Sequence, residues 1–249
     1  MRIAVTYKVE KLPIAYRLVV LSLIKEALKR GDEAYFNELY GKEPRKMKPF
    51  SYSVFLRNFS IEKEEIHLSE ITVTISSPDM TFMLHLFNGL QKLQSYQAGE
   101  HEWVRTTMKW LPEASIFNNT IFLKSLSPIL IEDRNGNPMH PGDPNYEQEL
   151  NYFASLRIQS LANREPYQEL RIVPGNLKRR VIKESNSKFR ESQASPYLTF
   201  TAYQGMFQCS GHPEDLQLLY QGGLGKRVSQ GFGMLDYVGE GDSHERDTY

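Results

Sequence analysis

The chain has 249 residues, 40% of them hydrophobic, and its 30 Lys and Arg are balanced by 30 Asp and Glu. That length suffices for one large domain or two small ones with a real core, and the zero net charge argues against a uniformly basic nucleic-acid-binding surface. A single cysteine, Cys209, excludes an internal disulfide framework and a cysteine-rich metal site. The longest apolar run, LVVLSLI at 18–24, has seven residues, where a membrane span needs about 20. The first residues lack the apolar core of a signal peptide. A soluble, cytoplasmic protein with no membrane association is expected.

In chain order, Ile3, Val5, Tyr7 and Val9 alternate as on a strand. Ile14, Leu18, Leu21, Ile24 and Leu28 recur at spacings of three and four, a helical stripe that Gly31 ends. Phe50, Tyr52, Val54 and Leu56 predict a second strand. The segment 65–75 predicts another, but Ile66 and Leu68 are out of phase with Ile71, Val73 and Ile75, so a bulge or turn is expected near Ser69. Met83, Leu86, Leu90 and Leu93 mark a second helix, and 101–110 a closing strand. The order β-α-β-β-α-β is the split βαβ, or ferredoxin-like, unit.

The rest of the chain repeats that order without a repeat of sequence. Residues 119–132 read as a strand, 132–145 as a Gly, Pro, Asn and Asp-rich loop, and 146–163 as a helix. ELRIVPG (169–175) and RRVIKES (179–185) are expected to form a hairpin, and Ser185, Asn186 and Ser187 to form the flexible tip of the basic run 178–190. A strand at 196–210, a short helix at 213–223 and a last strand at 231–239 complete the half. The expected fold class is α+β, two tandem ferredoxin-like domains, 1–112 and 113–249.

Charge is segregated despite the zero total. Residues 176–190 hold Lys178, Arg179, Arg180, Lys183, Lys188 and Arg190 against Glu184 alone, and 42–48 is a second basic stretch. The first run reads either as a solvated hairpin or as a track for phosphates, and the lack of matching acid favours the track.

Near the end lies GGLGKRVSQGFGML, 222–235. Gly223 and Gly225 flank Leu224, Gly231 and Gly233 flank Phe232, and Lys226 and Arg227 lie between the pairs. A helix C-cap explains one or two of these glycines. A P-loop requires Ser or Thr after its lysine and a strand-to-helix order, and a dinucleotide fingerprint requires glycine where Val228 stands, so both fail. A loop whose bare backbone approaches a polyanion while Lys226 and Arg227 meet phosphates accounts for every residue type in it.

This paired-glycine pattern resembles the C-terminal signature of the CRISPR-associated repeat-RNA-processing endoribonucleases of the RAMP superfamily. FLKSLSPILIED (122–133) and MKPFSYSVFL (47–56) resemble further segments of that family. The resemblance spans almost the whole chain. It implies tandem ferredoxin-like domains, no metal or other cofactor, CRISPR repeat RNA as partner, an effector complex as a further one, and a monomer or homodimer. The implied reaction is attack of a ribose 2′-OH on the adjacent phosphorus, leaving a 2′,3′-cyclic phosphate and a 5′-OH.

That chemistry needs a base, an acid and a cation. In the frame Tyr35–Phe36–Asn37–Glu38–Leu39–Tyr40–Gly41 the family pattern expects histidine where Asn37 stands, and an amide cannot exchange a proton at neutral pH. Two readings of Asn37 stay open: a chain that uses other groups, or a histidine replaced to trap uncut RNA. The resemblance makes Lys48 a candidate to stabilise the phosphorane, with Lys25 and Tyr40 as further site candidates. His67, His85, His101, His140, His212 and His244 are scattered and read as ordinary. The alternatives to an endoribonuclease are a non-cleaving RNA binder of the same fold and a structural subunit of a ribonucleoprotein.

Overall fold

The computed structural model describes residues 1–41, 47–185 and 197–240. The first half contains β1 (Arg2–Lys8), β2 (Lys11–Pro13), α1 (Arg17–Gly31), α2 (Glu33–Tyr40), β3 (Ser51–Arg57), β4 (Ser60–Glu62), β5 (Glu65–His67), β6 (Glu70–Ser76), α3 (Met80–Lys92), β7 (Ser95–Ala98) and β8 (His101–Trp110). The second contains β9 (Thr120–Ser125), α4 (Tyr146–Ala162), β10 (Arg171–Glu184), β11 (Leu198–Ser210), α5 (Pro213–Gly222) and β12 (Leu235–Glu240).

Each half is built on an antiparallel sheet, ordered β3-β6-β1-β8-β7 in the first and β10-β11-β9-β12 in the second. With β7 set aside, the first and third core strands are central in each sheet and the second and fourth lie outside them. This is the ferredoxin-like arrangement, occurring twice. The alternation of Ile3, Val5 and Tyr7 turns those side chains into a core with Leu23, Ile24, Ala27 and Leu28 of α1 and Phe82, Met83, Leu86 and Leu90 of α3. The second core joins Ile121, Leu123, Leu150, Ala154, Ile158, Phe207 and Leu219. α1 and α3 cross closely because both carry glycine at the contact: a Cβ on Gly89 would collide with the Ala27 carbonyl, and one on Gly31 with the His85 carbonyl.

The phase change at Ser69 is a real break, since β5 joins a small sheet with β2 and β4 while β6 joins the main one. Three expectations need correction. The strand at 119–132 stops at Ser125 and continues only as isolated bridges, Ile129 to Tyr203 and Glu132 to Pro138. The last strand starts at Leu235, because Gly231 and Gly233 adopt φ of +88° and +65° before it. The hairpin within 169–185 does not form. Those residues make one long strand, β10, paired along its length with β11 and irregular between Pro174 and Leu177. Pro174 tolerates this place because β10 is an edge strand. One helix was not expected: α2 follows α1 directly, started by Asp32, whose side chain accepts from the Tyr35 N–H at 2.9 Å.

Candidate nucleic-acid interface

Two buried arginines lock the halves together, one from each side. Arg2 of β1 donates to the carbonyl of Leu235 at 2.7 Å and to Asp236 at 2.8 Å. Arg157 of α4 donates to the carbonyls of Lys48 at 2.7 Å, Phe50 at 3.3 Å and Gly222 at 2.7 Å. It has no carboxylate partner among the described residues. Burial lowers its pKa to about 10, so it stays charged at neutral pH. The Arg157 bonds fix the chain just ahead of β3, where Lys48 lies.

α2 carries Asn37 on its exposed side. Tyr40 follows three residues later, about 60° away around the helix. The Tyr40 ring packs on Phe36 and holds two ammonium groups, Lys25 Nζ at 4.6 Å and Lys48 Nζ at 4.9 Å from its centroid. Lys48 also donates to the carbonyl of Leu39 in the last turn of α2, where the helix dipole favours a cation. Neither lysine has a carboxylate within ion-pair distance among the described residues. Desolvation first, and then the Lys25 charge, lower the Lys48 pKa. Burial raises that of Tyr40, whose hydroxyl has no hydrogen-bond partner among the described residues. Lys25, Tyr40 and Lys48 thus gather at the end of α2, although Lys25 is far from the others in sequence, and Asn37 lies one turn before Tyr40 on the exposed side of the helix.

A histidine also touches α2, on another face. His85 stacks on Tyr35 at 4.6 Å, with Nδ1 3.7 Å from Asp32. Tyr35 lies two residues, about 200°, from Asn37, so His85 does not stand in for a histidine at 37.

The glycine loop is an internal joint. Gly223, Gly225, Gly231 and Gly233 are all buried or half-buried, and all have positive φ. A Cβ on Gly231 would lie 2.9 Å from the Tyr52 ring of the first half, and one on Gly233 would overlap the Leu224 carbonyl. Several loop N–H groups already have protein acceptors: Leu224 bonds the Gly233 carbonyl, Lys226 that of Leu130 and Gly233 that of Pro128, each at 2.9 Å. Packing therefore accounts for the four glycines, and the loop's outward chemistry is in its side chains. Lys226 pairs with Glu132 at 2.9 Å, and exposed Arg227 covers the Phe200 ring at 4.7 Å.

The basic run divides across β10. Lys178, Arg179, Arg180 and Lys183 are exposed, but period-two alternation puts Lys178 and Arg180 on one face and Arg179 and Lys183 on the other. Lys188 and Arg190 lie outside the described residues, as do 42–46 of the other basic stretch. Arg180 and Lys183 line a cleft of about 540 Å³ between the halves, opposite Tyr16, Arg17 and the half-exposed Phe59.

Sequence reasoning missed Arg157, Arg17 and Glu184. Arg157 had a signal: it interrupts the stripe Leu150, Phe153, Ala154, Ile158 with a charge. Arg17 and Glu184 had none, since only the tertiary fold brings α1 to the end of β10. Among the described residues, no group of three or more His, Cys, Asp or Glu is placed to hold a metal ion, and no helix is long and apolar enough to cross a membrane.

The fold is shared with solved structures. A RAMP protein described as binding different RNA substrates superposes with a TM-score of 0.76 at 18% identity, over 96% of this chain and 99% of the other. A Cas6-related protein from Pyrococcus furiosus gives 0.76 at 20%, over 96% and 98%. A CRISPR associated protein Cas6 gives 0.71 at 21%, over 96% and 99%. No curated protein matches in sequence. The family profile described as CRISPR associated protein Cas6, C-terminal, matches residues 111–237. That match covers just over half of the chain, including α4 with Arg157 and the whole glycine loop, and the chain accordingly belongs to the CRISPR associated Cas6 family.

Proposed function

We propose that this chain binds CRISPR repeat RNA, with the strand running through the cleft between its halves and one phosphate seated at the Lys25–Tyr40–Lys48 cluster. The cluster carries the reading. Two ammonium groups share one tyrosine ring with no carboxylate beside them among the described residues, and burial and then the Lys25 charge work against the charge on Lys48, which an anion from outside would offset. A phosphate supplies it. The cleft adds Arg17, Arg180 and Lys183 for the backbone and Tyr16 and Phe59 for bases. The structurally similar RAMP protein that binds different RNA substrates supports the same ligand.

The chemistry the cluster suits is endoribonucleolytic cleavage without a metal. A 2′-OH attacks the adjacent phosphorus, the bond to the 5′-oxygen breaks, and the products are a 2′,3′-cyclic phosphate and a 5′-OH. Lys48 and Lys25 neutralise the phosphorane. Tyr40 keeps its proton at neutral pH and so serves only as a donor. Asn37, exposed one helical turn before Tyr40, offers no proton transfer, so in this chain binding outlasts cleavage. Titration of labelled repeat RNA over a range of salt tests the reading. Tight, salt-dependent binding that favours repeat over scrambled RNA supports it, and equal weak binding of both contradicts it.

A further inference from the structure

One edge of the first sheet lies open beside an apolar helix flank. β7 pairs with β8 only from Ala98 opposite His101 to Ser95 opposite Val104. After that the Arg105 N–H bonds the Gln94 carbonyl, and residues 106–110 have no neighbouring strand on that side among the described residues. Leu111 donates to the Arg2 carbonyl at 2.9 Å, so alternation along an antiparallel ladder turns the backbone groups of Met108 and Trp110 outward. Thr106, Thr107, Lys109 and Trp110 are exposed. An open edge is a template for another strand, and native chains cover it or charge it. Lys109 is the one charged residue in 106–110.

The helix beside this edge adds apolar surface. Met80, Leu84 and Phe87 of α3 recur at spacings of four and three, within an arc of about 60°. Gly89, where α3 meets α1, lies on the opposite side of the helix. Phe87 stacks on Trp110 at 5.2 Å, which joins the stripe to the end of β8. Met80 is 71%, Leu84 57% and Trp110 42% exposed. From Met80 to Gln91 the helix has no Asp, Glu, Lys or Arg, and His85 is turned to α2, against Tyr35. A contiguous exposed apolar patch marks a protein contact, and one without charge suits a partner face that is equally uncharged.

We propose that this face binds a second copy of the chain, with β8 paired antiparallel to β8 of the partner subunit across a two-fold axis. Identical edges complete each other in such a contact. The outward N–H and C=O of Met108 meet those of Met108 of the partner subunit. That register places Lys109 opposite Thr107 of the partner subunit, so the two lysines are not set against each other. It also puts both α3 helices on one side of the joined sheet, where Met80, Leu84, Phe87 and Trp110 of each copy cover those of the other. The 30 basic and 30 acidic residues leave no net charge to keep copies apart. Only two residues on each edge offer outward hydrogen bonds, so the dimer is reversible and half-formed in the micromolar range. None of these residues belongs to the lysine cluster or to the cleft described above.

The test is sedimentation velocity of the intact chain without RNA, at concentrations from about 1 to 200 μM. A reversible monomer–dimer equilibrium is expected. Leu84→Glu puts a carboxylate into the apolar contact and should weaken the dimer about tenfold or more. Leu84 is exposed in the single chain, so the variant should stay folded, which a thermal melt verifies. Phe117→Glu, at an apolar residue 79% exposed outside this face, should leave the dimer unchanged. An equal mixture of Thr107→Cys and Lys109→Cys chains should form a disulfide dimer on mild oxidation, and neither chain alone. Residues directly opposite in a pair without mutual hydrogen bonds lie about 4.5 Å apart at Cα, which a disulfide spans, and the natural Cys209 is buried. A monomer at every concentration overturns the proposal. A dimer that Leu84→Glu leaves intact, or that Phe117→Glu also abolishes, overturns its assignment to this face. A dimer whose cysteine mixture does not cross-link overturns the strand pairing.

Discussion

Arg157 Nη1 in the second half of the chain donates to the carbonyl oxygen of Lys48 in the first, at 2.7 Å. The same guanidinium bonds Gly222, where α5 passes into the glycine loop. One side chain therefore sets the position of the lysine segment and of the loop together. Arg157→Met is expected to leave three buried carbonyls unsatisfied, a loss of about 3–5 kcal/mol. For a chain of this length that is a fall in Tm of roughly 10 °C. Arg157→Lys cannot span all three carbonyls and should fall between. Thermal denaturation checks both.

The cluster at α2 makes a prediction about salt. Lys25→Ala with Lys48→Ala should weaken repeat RNA binding. It should also lower the log–log salt slope by about 0.7 for each phosphate that the protein no longer neutralises, if the strand is single. An unchanged slope places these lysines away from the RNA. Tyr40→Phe should leave stability unchanged or raise it by about 1 kcal/mol, because the hydroxyl it removes is buried without a partner among the described residues.

The glycines differ in what they tolerate. Gly233→Ala combines a clash with the Leu224 carbonyl and a left-handed φ of +65°, so it should cost several kcal/mol. Gly225→Val and Gly231→Val should cost comparable amounts and reduce RNA binding through displacement of Arg227. Gly239→Ala should be neutral to within about 0.5 kcal/mol, since a Cβ there meets nothing within 4 Å. Denaturant midpoints of the four variants order them.

The two halves, their sheets and their cores could be read from apolar alternation and helical stripes such as Ile3–Val5–Tyr7 and Met83–Leu86–Leu90. Strand boundaries near loops were less legible. Pro174 looks like the end of a strand, and only the pairing of β10 with β11 shows that the strand continues past it. The glycine loop was legible as a special backbone, and its partners were not. That Gly231 faces Tyr52 and Gly223 faces Ser51 depends on how the halves dock, which has no local signal. The same docking brings Glu184 to Arg17, and the packing of α2 on the first half brings Lys25 to Tyr40.

Glu184 makes stability depend on pH. Its folded pKa of about 7 lies above the ordinary 4.5, mainly through burial, with Arg17 of α1, the Leu18 N–H and Arg227 of the loop opposing. Tyr52 of β3 also faces it. Between about pH 4.5 and 7 the folded chain keeps a proton that the unfolded chain has released, so stability from this group falls as pH rises. The penalty is complete above about 7, at roughly 3 kcal/mol. Glu184→Gln should therefore melt close to the parent near pH 4.5 and about 5–10 °C above it at pH 8. Parallel melting curves across this range would show that the carboxylate has a partner.

Asn37 stands exposed one helical turn before Tyr40, whose ring holds Lys25 and Lys48, so one observable separates an impaired nuclease from a pure binder. It is single-turnover cleavage of 5′-labelled repeat RNA in EDTA, by this chain and by Asn37→His, at RNA concentrations where both are saturated. The parent chain should hold the RNA uncut or cut it slowly. Asn37→His should cleave faster by about 10²–10⁴-fold, through a histidine titrating near 6.5 and shifted by Lys48. It should leave a 5′-OH end and fail on RNA with a 2′-deoxy sugar before the cut. Fast cleavage by the parent chain, or no gain from histidine with binding intact, would contradict the assignment of the site.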